Sequence, residues 1–312
     1  MKRRNFLKCL EALVLTSSCA KPDFVDINLE RPDIKFVSIP TGEYEMRVYH
    51  PSESSLGVTG DDIIDKVKLD SFNMGATEIT NKQYCKFLNQ GLKKRDNIKV
   101  RNINNNLVVN GSTREYAEEN VFLLLKSRFQ GIRGEFNESG ITYSGGKFKV
   151  IKGKEEFPVA NVSWSGAKAF AEFYGLDLPT EAQWEYAGTG KNFKAFGTKG
   201  GNLNKNNANF GNNIGHPVKV GSYEPNDYGL YDMSGNVEEW CINQLKHGGP
   251  TKKSIVIRHP LRGGSWLSYK DSCRIRSRKR FDYRIYVYSG SGETAGIKNN
   301  HGFRVVTRVI NR

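Results

Sequence analysis

The sequence predicts an α+β domain in which short strands and irregular loops outnumber helices. Three segments carry good helix-start signals with apolar residues at helical spacing. Short β-patterned runs bounded by turn residues recur between them. Glycine supplies 32 of the 312 residues, which favours turns and loops. An 11% aromatic content argues for a packed core despite an apolar fraction of 38%. No window approaches 18 apolar residues, so no bilayer-spanning helix is expected, and collagen and coiled-coil architectures are excluded.

The first nineteen residues read as an address. Lys2, Arg3, Arg4 and Lys8 precede a short apolar run (Leu10, Ala12 to Leu15), then Thr16, Ser17, Ser18 and Cys19. Small residues before a cysteine resemble a lipoprotein processing site, and Arg3-Arg4-Asn5-Phe6-Leu7-Lys8 resembles a twin-arginine export signal. Residues 1–18 are then a signal peptide, Cys19 is the lipidated terminus and 19–32 a polar tether. That implies a membrane partner through the lipid, with the protein on the outer membrane and at the cell surface. Glu11 interrupts the apolar run, and a frayed basic terminus is the alternative. Beyond this segment stand Cys85, Cys241 and Cys273, an odd set without CxxC spacing, so neither a disulfide framework nor a zinc site is expected.

The globular pattern occupies 33–312. Ile34, Phe36 and Ile39, the turn Pro40-Thr41-Gly42, then Tyr44 and Met46 read as a hairpin. Val67, Leu69, Phe72 and Met74 suggest one strand with an irregularity. Thr80 and Gln83 have capping-box spacing ahead of Tyr84, Phe87 and Leu88, with Gly91 as the stop. Residues 92–156 read as an insertion within the one domain, with a helix over 116–126 and a tight hairpin at Tyr143-Ser144-Gly145-Gly146-Lys147-Phe148. Ser163 caps a helix carrying Ala167, Phe170, Ala171 and Tyr174, stopped by Gly175. Thr180 and Gln183 repeat the capping box before Trp184 and Ala187. From Phe196 to Tyr228 the chain is rich in Asn and Gly and reads as surface coil. The last 52 residues hold twelve Lys+Arg against three Asp+Glu, much of the formal +14 charge.

Six motifs in order carry a family resemblance over about residues 34–308. They are Phe36-Val37-Ser38-Ile39-Pro40-Thr41-Gly42, Glu78-Ile79-Thr80-Asn81-Lys82-Gln83-Tyr84, and Pro158-Val159 through Val162-Ser163-Trp164. They continue with Leu178-Pro179-Thr180-Glu181-Ala182-Gln183-Trp184-Glu185 and Gly229-Leu230-Tyr231-Asp232-Met233-Ser234-Gly235-Asn236-Val237-Glu238-Glu239-Trp240. They end with Arg262-Gly263-Gly264-Ser265-Trp266 through Gly302-Phe303-Arg304. The chain resembles the sulfatase-modifying-factor family, the formylglycine-generating enzymes and their relatives. The resemblance implies a C-type-lectin-like fold of that subtype with much irregular structure.

It also bears on catalysis. The oxidases of this family use two cysteines after the Gly-Gly-Ser segment to bind copper, since two-coordinate Cu(I) wants two soft sulfur ligands. Those positions fall on Ser268 and Cys273, so half the pair is missing and no catalytic residue is assigned. Iron-dependent relatives use three histidines. His50, His216, His247, His259 and His301 show no i, i+4 pair and read as surface residues. In the family, the Gly-Asn-x-x-Glu-Trp loop binds calcium. Asp232 and Glu239 would supply carboxylates, and Gly235 and Val237 carbonyls. The alternative is that Asp232 caps a turn and Glu239 accepts backbone hydrogen bonds. No cofactor is required on this reading.

The segment 262–304 also resembles the variable proteins of diversity-generating retroelements. Residues fitting the family frame (Arg262 to Trp266, Cys273, Arg274, Arg278, Gly302 to Arg304) alternate with chemically arbitrary ones. These are Leu267, Ser268, Tyr269, Asp271, Ser272, Ile275, Ser277, Arg280, Phe281, Tyr283, Ile285, Tyr286, Val287 and Tyr288, with His301 beyond them. Randomising the adenines of an Asn codon yields this residue set. The resemblance implies a hypervariable ligand surface, and Tyr with Arg suits one because Tyr gives large contact area with few rotors and Arg makes multidentate contacts. Tyr283, Ile285 and Val287 also alternate as a half-buried strand would. The expected ligand is an unidentified macromolecule, a protein or an acidic glycan. Nucleic acid is not expected, since no nucleic-acid motif is present. A degenerate metal oxidase and an envelope structural lipoprotein are the competing readings.

Overall fold

The computed structural model describes residues 31–48, 63–93, 98–103, 106–111, 120–126, 139–243, 245–248, 255–277 and 297–307. The signal peptide expected over 1–18, the tether expected over 19–32 except its last two residues, and Arg280, Phe281, Tyr283, Ile285, Tyr286, Val287 and Tyr288 lie outside the described residues.

The chain opens with strands β1 (Phe36–Ile39), β2 (Gly42–Val48), β3 (Ile63–Leu69) and β4 (Phe72–Gly75). The expected hairpin across Pro40 does not form. β1 pairs antiparallel with β4, and β2 pairs antiparallel with β3. A short β1 whose inward Ile39 is fully buried meets Phe72 and Met74 of β4, so burial and not the local turn selects the partner. The single irregular strand expected over 67–74 is two strands.

Helix α1 (Asn81–Lys93) begins at the capping box: Gln83 N donates to Thr80 Oγ1 at 3.2 Å, and Thr80 N donates to Gln83 Oε1 at 2.9 Å. It runs two residues past Gly91, where a Cβ would lie 2.3 Å from Ile98 Cδ1. β5 (Lys99–Ile103), β6 (Asn106–Gly111) and β7 (Asn120–Lys126) form an antiparallel meander. Over 120–126 the expected helix of 116–126 is therefore a strand instead. Phe122, Leu123, Leu124 and Leu125 are all buried, and a continuous apolar run of this length suits a strand covered on both faces. β8 (Ile141–Ser144) and β9 (Lys147–Val150) make the expected hairpin, with Gly145 and Gly146 both at positive φ as a two-residue turn demands.

Helix α2 (Trp164–Phe173) starts where Ser163 Oγ accepts from Gly166 N at 3.0 Å, and stops before Gly175 at φ 70°. β10 (Leu176–Asp177) follows, then α3 (Glu181–Thr189), whose capping box is complete at Thr180 and Gln183. The remaining strands are β11 (Glu238–Trp240), β12 (Leu245–Gly248), β13 (Ile255–Arg258), β14 (Leu261–Arg262), β15 (His301–Gly302) and β16 (Val306–Thr307). β16 lies between β4 and β10 to complete a four-stranded sheet. β14 and β15 flank β11 in a three-stranded one. Between Gly190 and Val237 the described residues form turns and coil, as the Asn- and Gly-rich composition indicates.

Two apolar clusters hold these pieces. One packs Tyr84 and Phe87 of α1 against Phe170 of α2 and Phe303, with ring centroids 5.3–6.0 Å apart, and takes in Phe122, Leu123 and Leu125 of β7. The other gathers Ile39, Met74, Trp184, Met233 and Ile275. Each such aromatic or aliphatic side chain contributes about 1.5–3 kcal/mol by leaving water. Trp184 of α3 belongs to this second cluster and its indole N–H reaches Glu239 in the site described next.

Candidate functional site

The site grows from Arg262 at the end of β14. Its guanidinium is fully buried and ion-paired with Glu185 of α3, and Glu181 stands 3.7 Å away. It also donates to the carbonyls of Ile275 at 3.0 Å and Ser277 at 3.3 Å. One side chain thus ties both ends of segment 262–277 to α3. Gly263 and Gly264 follow at φ 86° and 67°. A Cβ at Gly264 would lie 2.7 Å from Cys273 Sγ, so the close return of the chain requires glycine there.

Between these anchors the segment makes a compact turn. Ser268 N donates to Ser265 O, and Ser265 N to Ser268 Oγ, both at 2.9 Å. Asn300 Nδ2 donates to Ser265 Oγ at 3.0 Å. A single 3₁₀ turn, Lys270–Cys273, comes next. The Asn-rich loop supports it from below: Gly211 N donates to Ser268 O, Asn212 N to Trp266 O, and Ile275 N to Ala195 O. Ser234 Oγ bridges, donating to Cys273 O at 2.7 Å and accepting from Gly197 N at 3.0 Å.

This scaffold sorts the expected ligand residues. Tyr269 is 78% exposed, and the Asp271 side chain is 84% exposed. Leu267, Ser272 and Ser277 are half-buried. Three expectations are corrected. Ile275 is fully buried in the second apolar cluster, because its backbone is pulled inward by Ala195 and Arg262. Ser268 is buried because its hydroxyl closes the turn with Ser265. His301 is buried in β15, with Nε2 3.3 Å from Glu238 Oε2 and its ring against the edge of Trp240. These three hold the surface up; they do not form it. Cys273, the partner position of Ser268 in the copper-pair comparison, sits fully buried among Phe196, Leu203 and Ala208. Trp266 and Phe303, both of the family frame, are buried.

Sequence reasoning missed Lys270 and Arg274 as a pair. Lys270 Nζ lies 5.8 Å and Arg274 Cζ 5.1 Å from the Phe196 ring centroid, while Arg274 Nε bonds Asp271 Oδ1 at 3.0 Å. The signal was present as two cations four residues apart beside a lone aromatic, but the Phe196 partner is 74 and 78 positions away.

Behind the surface lies a charged core. Arg304 is fully buried and grips Glu239 of β11 with two hydrogen bonds, Nε to Oε2 at 2.6 Å and Nη2 to Oε1 at 2.7 Å. Trp184 Nε1 donates to the same Oε2 at 2.8 Å. Arg304 also donates to the carbonyls of Gly75, Ala76 and Tyr231. Glu78 faces this group and accepts from Asn236 Nδ2 at 2.9 Å. Asp232 accepts from Gly221 N at 2.7 Å. Glu239, expected as a calcium ligand, thus directs both oxygens at Arg304 and Trp184 and does not fit that role. Asp232 caps a turn at φ 56°, and Gly235 N donates to Gly263 O. Among the described residues, no group of three or more His, Cys, Asp or Glu is disposed to hold a metal ion.

Burial, with the neighbouring Asp232 charge next, holds the Glu78 carboxyl well above the usual carboxylate range. Burial pushes Asp232 up to about 6. His259 is not a surface residue as expected. It stacks on Trp164 at 3.6 Å, its Nδ1 faces Asn243 O, and burial pushes it down to about 4. His216 is exposed, while His50 and the His247 side chain lie outside the described residues.

The two shifts act on stability with opposite signs. Asp232 binds its proton more tightly folded than unfolded, so its contribution is full below pH 4 and lost as pH rises to 6. His259 binds its proton less tightly folded, so its contribution is full above pH 6.5 and lost as pH falls towards 4. Urea midpoints between pH 4 and 7 should therefore gain a steeper rise with pH in Asp232→Asn and a flatter one in His259→Asn. Parallel profiles for wild type and both variants would contradict this assignment.

The model of the sulfatase-modifying factor enzyme 1-like domain matches residues 27–309. Serine/threonine-protein kinase pkn1 of Chlamydia pneumoniae is 33% identical over 182 residues, which are 55% of this chain and 27% of that protein. The formylglycine-generating enzyme of Streptomyces coelicolor is 34% identical over 183 residues, 49% of this chain and 54% of the enzyme. The chain thus spans about a quarter of the first relative's length and about half of the second's. Among solved structures, CarF aligns over 88% of this chain and 98% of its own at 20% identity and TM-score 0.53. Treponema denticola variable protein 1 aligns over 90% and 97% at 20% identity and TM-score 0.47.

Proposed function

From the premise that the chain belongs to the sulfatase-modifying factor enzyme 1-like family, we propose that it is a binding protein of that family, not an oxidase. Its fold is the C-type-lectin-like fold of the formylglycine-generating-enzyme subtype. The observation that carries the reading is the geometry of segment 262–277. Arg262, Gly263, Gly264 and Trp266 are buried and pinned, while Tyr269, Lys270, Asp271 and Arg274 stand out on the turn they hold. A surface whose backbone is already ordered loses little entropy when a partner docks. Ser268 supports the non-catalytic reading, because its hard hydroxyl is committed to a structural turn and cannot replace a Cu(I) thiolate.

The ligand is macromolecular. The protein is exported, anchored through lipid on Cys19 and displayed at the cell surface, and segment 262–304 is diversified by a retroelement. Sequencing the gene and its neighbourhood in several clonal isolates tests this. Expected are differences confined to adenine-derived positions between Trp266 and His301, beside a near-identical template repeat and a reverse transcriptase gene. An unvarying segment with no template would overturn the diversification. Stoichiometric copper or iron in the purified protein would favour an oxidase instead.

A further inference from the structure

Resting on that binding reading, we propose that the docking surface has a second, fixed half on the loop after α3, and that its partner is an acidic protein face bearing apolar side chains. Phe193 is the anchor of this half. Its side chain is 51% exposed, and its backbone sits at φ 50°, a conformation that disfavours a bulky side chain. The surrounding structure imposes it. Lys194 N donates to Thr189 O at 2.8 Å, and Lys194 Nζ bridges Lys199 O and Asp227 Oδ1, both at 2.7 Å. A strained backbone that displays an aromatic ring to water serves neither stability nor solubility, which is the pattern expected of a contact residue.

Phe193 adjoins the turn already described. Two residues on, Ala195 O accepts from Ile275 N; three on, the Phe196 ring lies under Lys270 and Arg274. Ile214, 40% exposed, follows Asn212, whose N–H bonds Trp266 O. Phe193 and Ile214 thus stand on chain stretches whose near neighbours are hydrogen-bonded to the segment that displays Tyr269.

Charge and apolar character together select the partner. Residues 191–220 carry five lysines and no Asp or Glu; Lys194 and Lys199 pair with Asp227 and Glu224, and Arg274 with Asp271, which leaves Lys191, Lys205, Lys219 and Lys270 to set a positive field. A field of one sign attracts its opposite. A sulfated glycan or nucleic acid would use the cations and stack on Phe193 but would leave the aliphatic Ile214 without a role. An acidic protein face with aliphatic or aromatic side chains uses both.

The test is a selection of random 12-residue peptides displayed on phage against the full chain. Selected peptides should be net acidic and contain aromatic or aliphatic residues. Phe193→Asn, a residue that tolerates this φ, should weaken the best synthetic peptide at least roughly tenfold while keeping or raising the melting temperature. Tyr269→Ala is measured beside it. If Tyr269→Ala weakens binding and Phe193→Asn does not, the binding reading stands and this extension falls. If neither weakens it, both fall. Peptides that are neutral or basic, or a Phe193→Asn variant that unfolds early, would also overturn the extension.

Discussion

Replacing Arg304 with methionine is expected to cost the fold about 3–5 kcal/mol, a large share of a typical domain's stability. Arg304 is the one cation among Glu78, Asp232 and Glu239 in the described charged core, and its removal leaves those carboxyls facing each other without compensation. It also strands the carbonyls of Gly75, Ala76 and Tyr231, which join the β4 end to the Tyr231 loop through this one side chain. Lysine does not rescue it, because one ammonium cannot match the two-pronged contact with Glu239. The three carboxyls should rank differently. Burial and the Asp232 charge favour the protonated form of Glu78, so Glu78→Gln should cost less than Glu239→Gln. Glu239→Gln loses a charge-assisted pair of hydrogen bonds and should cost about 3 kcal/mol or more. Urea unfolding at pH 7 reads all of these. Equal costs for the two glutamates would contradict this ranking.

What the sequence disclosed follows from how local each signal was. The boxes at Thr80 and Thr180 and the Gly145-Gly146 turn need only residues within three positions of one another, and all formed as expected. The run at 121–125 was misread because a continuous apolar stretch has no period to distinguish helix from strand. The β1 partner was misread because Pro40-Thr41-Gly42 signals a turn but not what the strand before it will pair with. The site shows the same division. Arg262, Gly263, Gly264 and Trp266 were legible as a frame, and Tyr269 as displayed. Ile275, Ser268 and His301 were not separable from it by residue type. Their burial depends on Ala195, Ser265 and Glu238 reaching them in space, and two of these contacts are long-range. Phe193 gave no local sign, since its exposure and its backbone φ both come from how Lys194 is held.

The contrast between Tyr269 and Ile275 separates display from support. Both belong to the set of chemically arbitrary residues, and both are large and apolar enough to anchor a ligand. Tyr269→Ala should leave the unfolding midpoint unchanged, since the side chain is 78% exposed and its hydroxyl is not needed to hold the turn. It should weaken binding of the selected acidic peptides by about 2 kcal/mol, the value of a central aromatic hot spot. Ile275→Ala should do the reverse. Its side chain lies against Met233 and beneath Gly188 and Gly197, where glycine leaves room for it, so truncation opens a cavity worth about 2–4 kcal/mol of stability. Binding per folded molecule should change little, because Arg262 and Ala195 hold the backbone at Ile275 through its carbonyl and N–H, which alanine keeps. A Tyr269→Ala variant that unfolds early would place that ring in the core. An Ile275→Ala variant that keeps its stability but loses the peptide would return Ile275 to the surface. The arrangement has a consequence for diversification. A segment can tolerate arbitrary residues only where the frame leaves them outside, so the positions free to vary without penalty are those around Tyr269 and Asp271. A polar or charged residue at Ile275 would have to be buried beside Trp184 and Met233, and its desolvation would destabilise the turn that displays the rest.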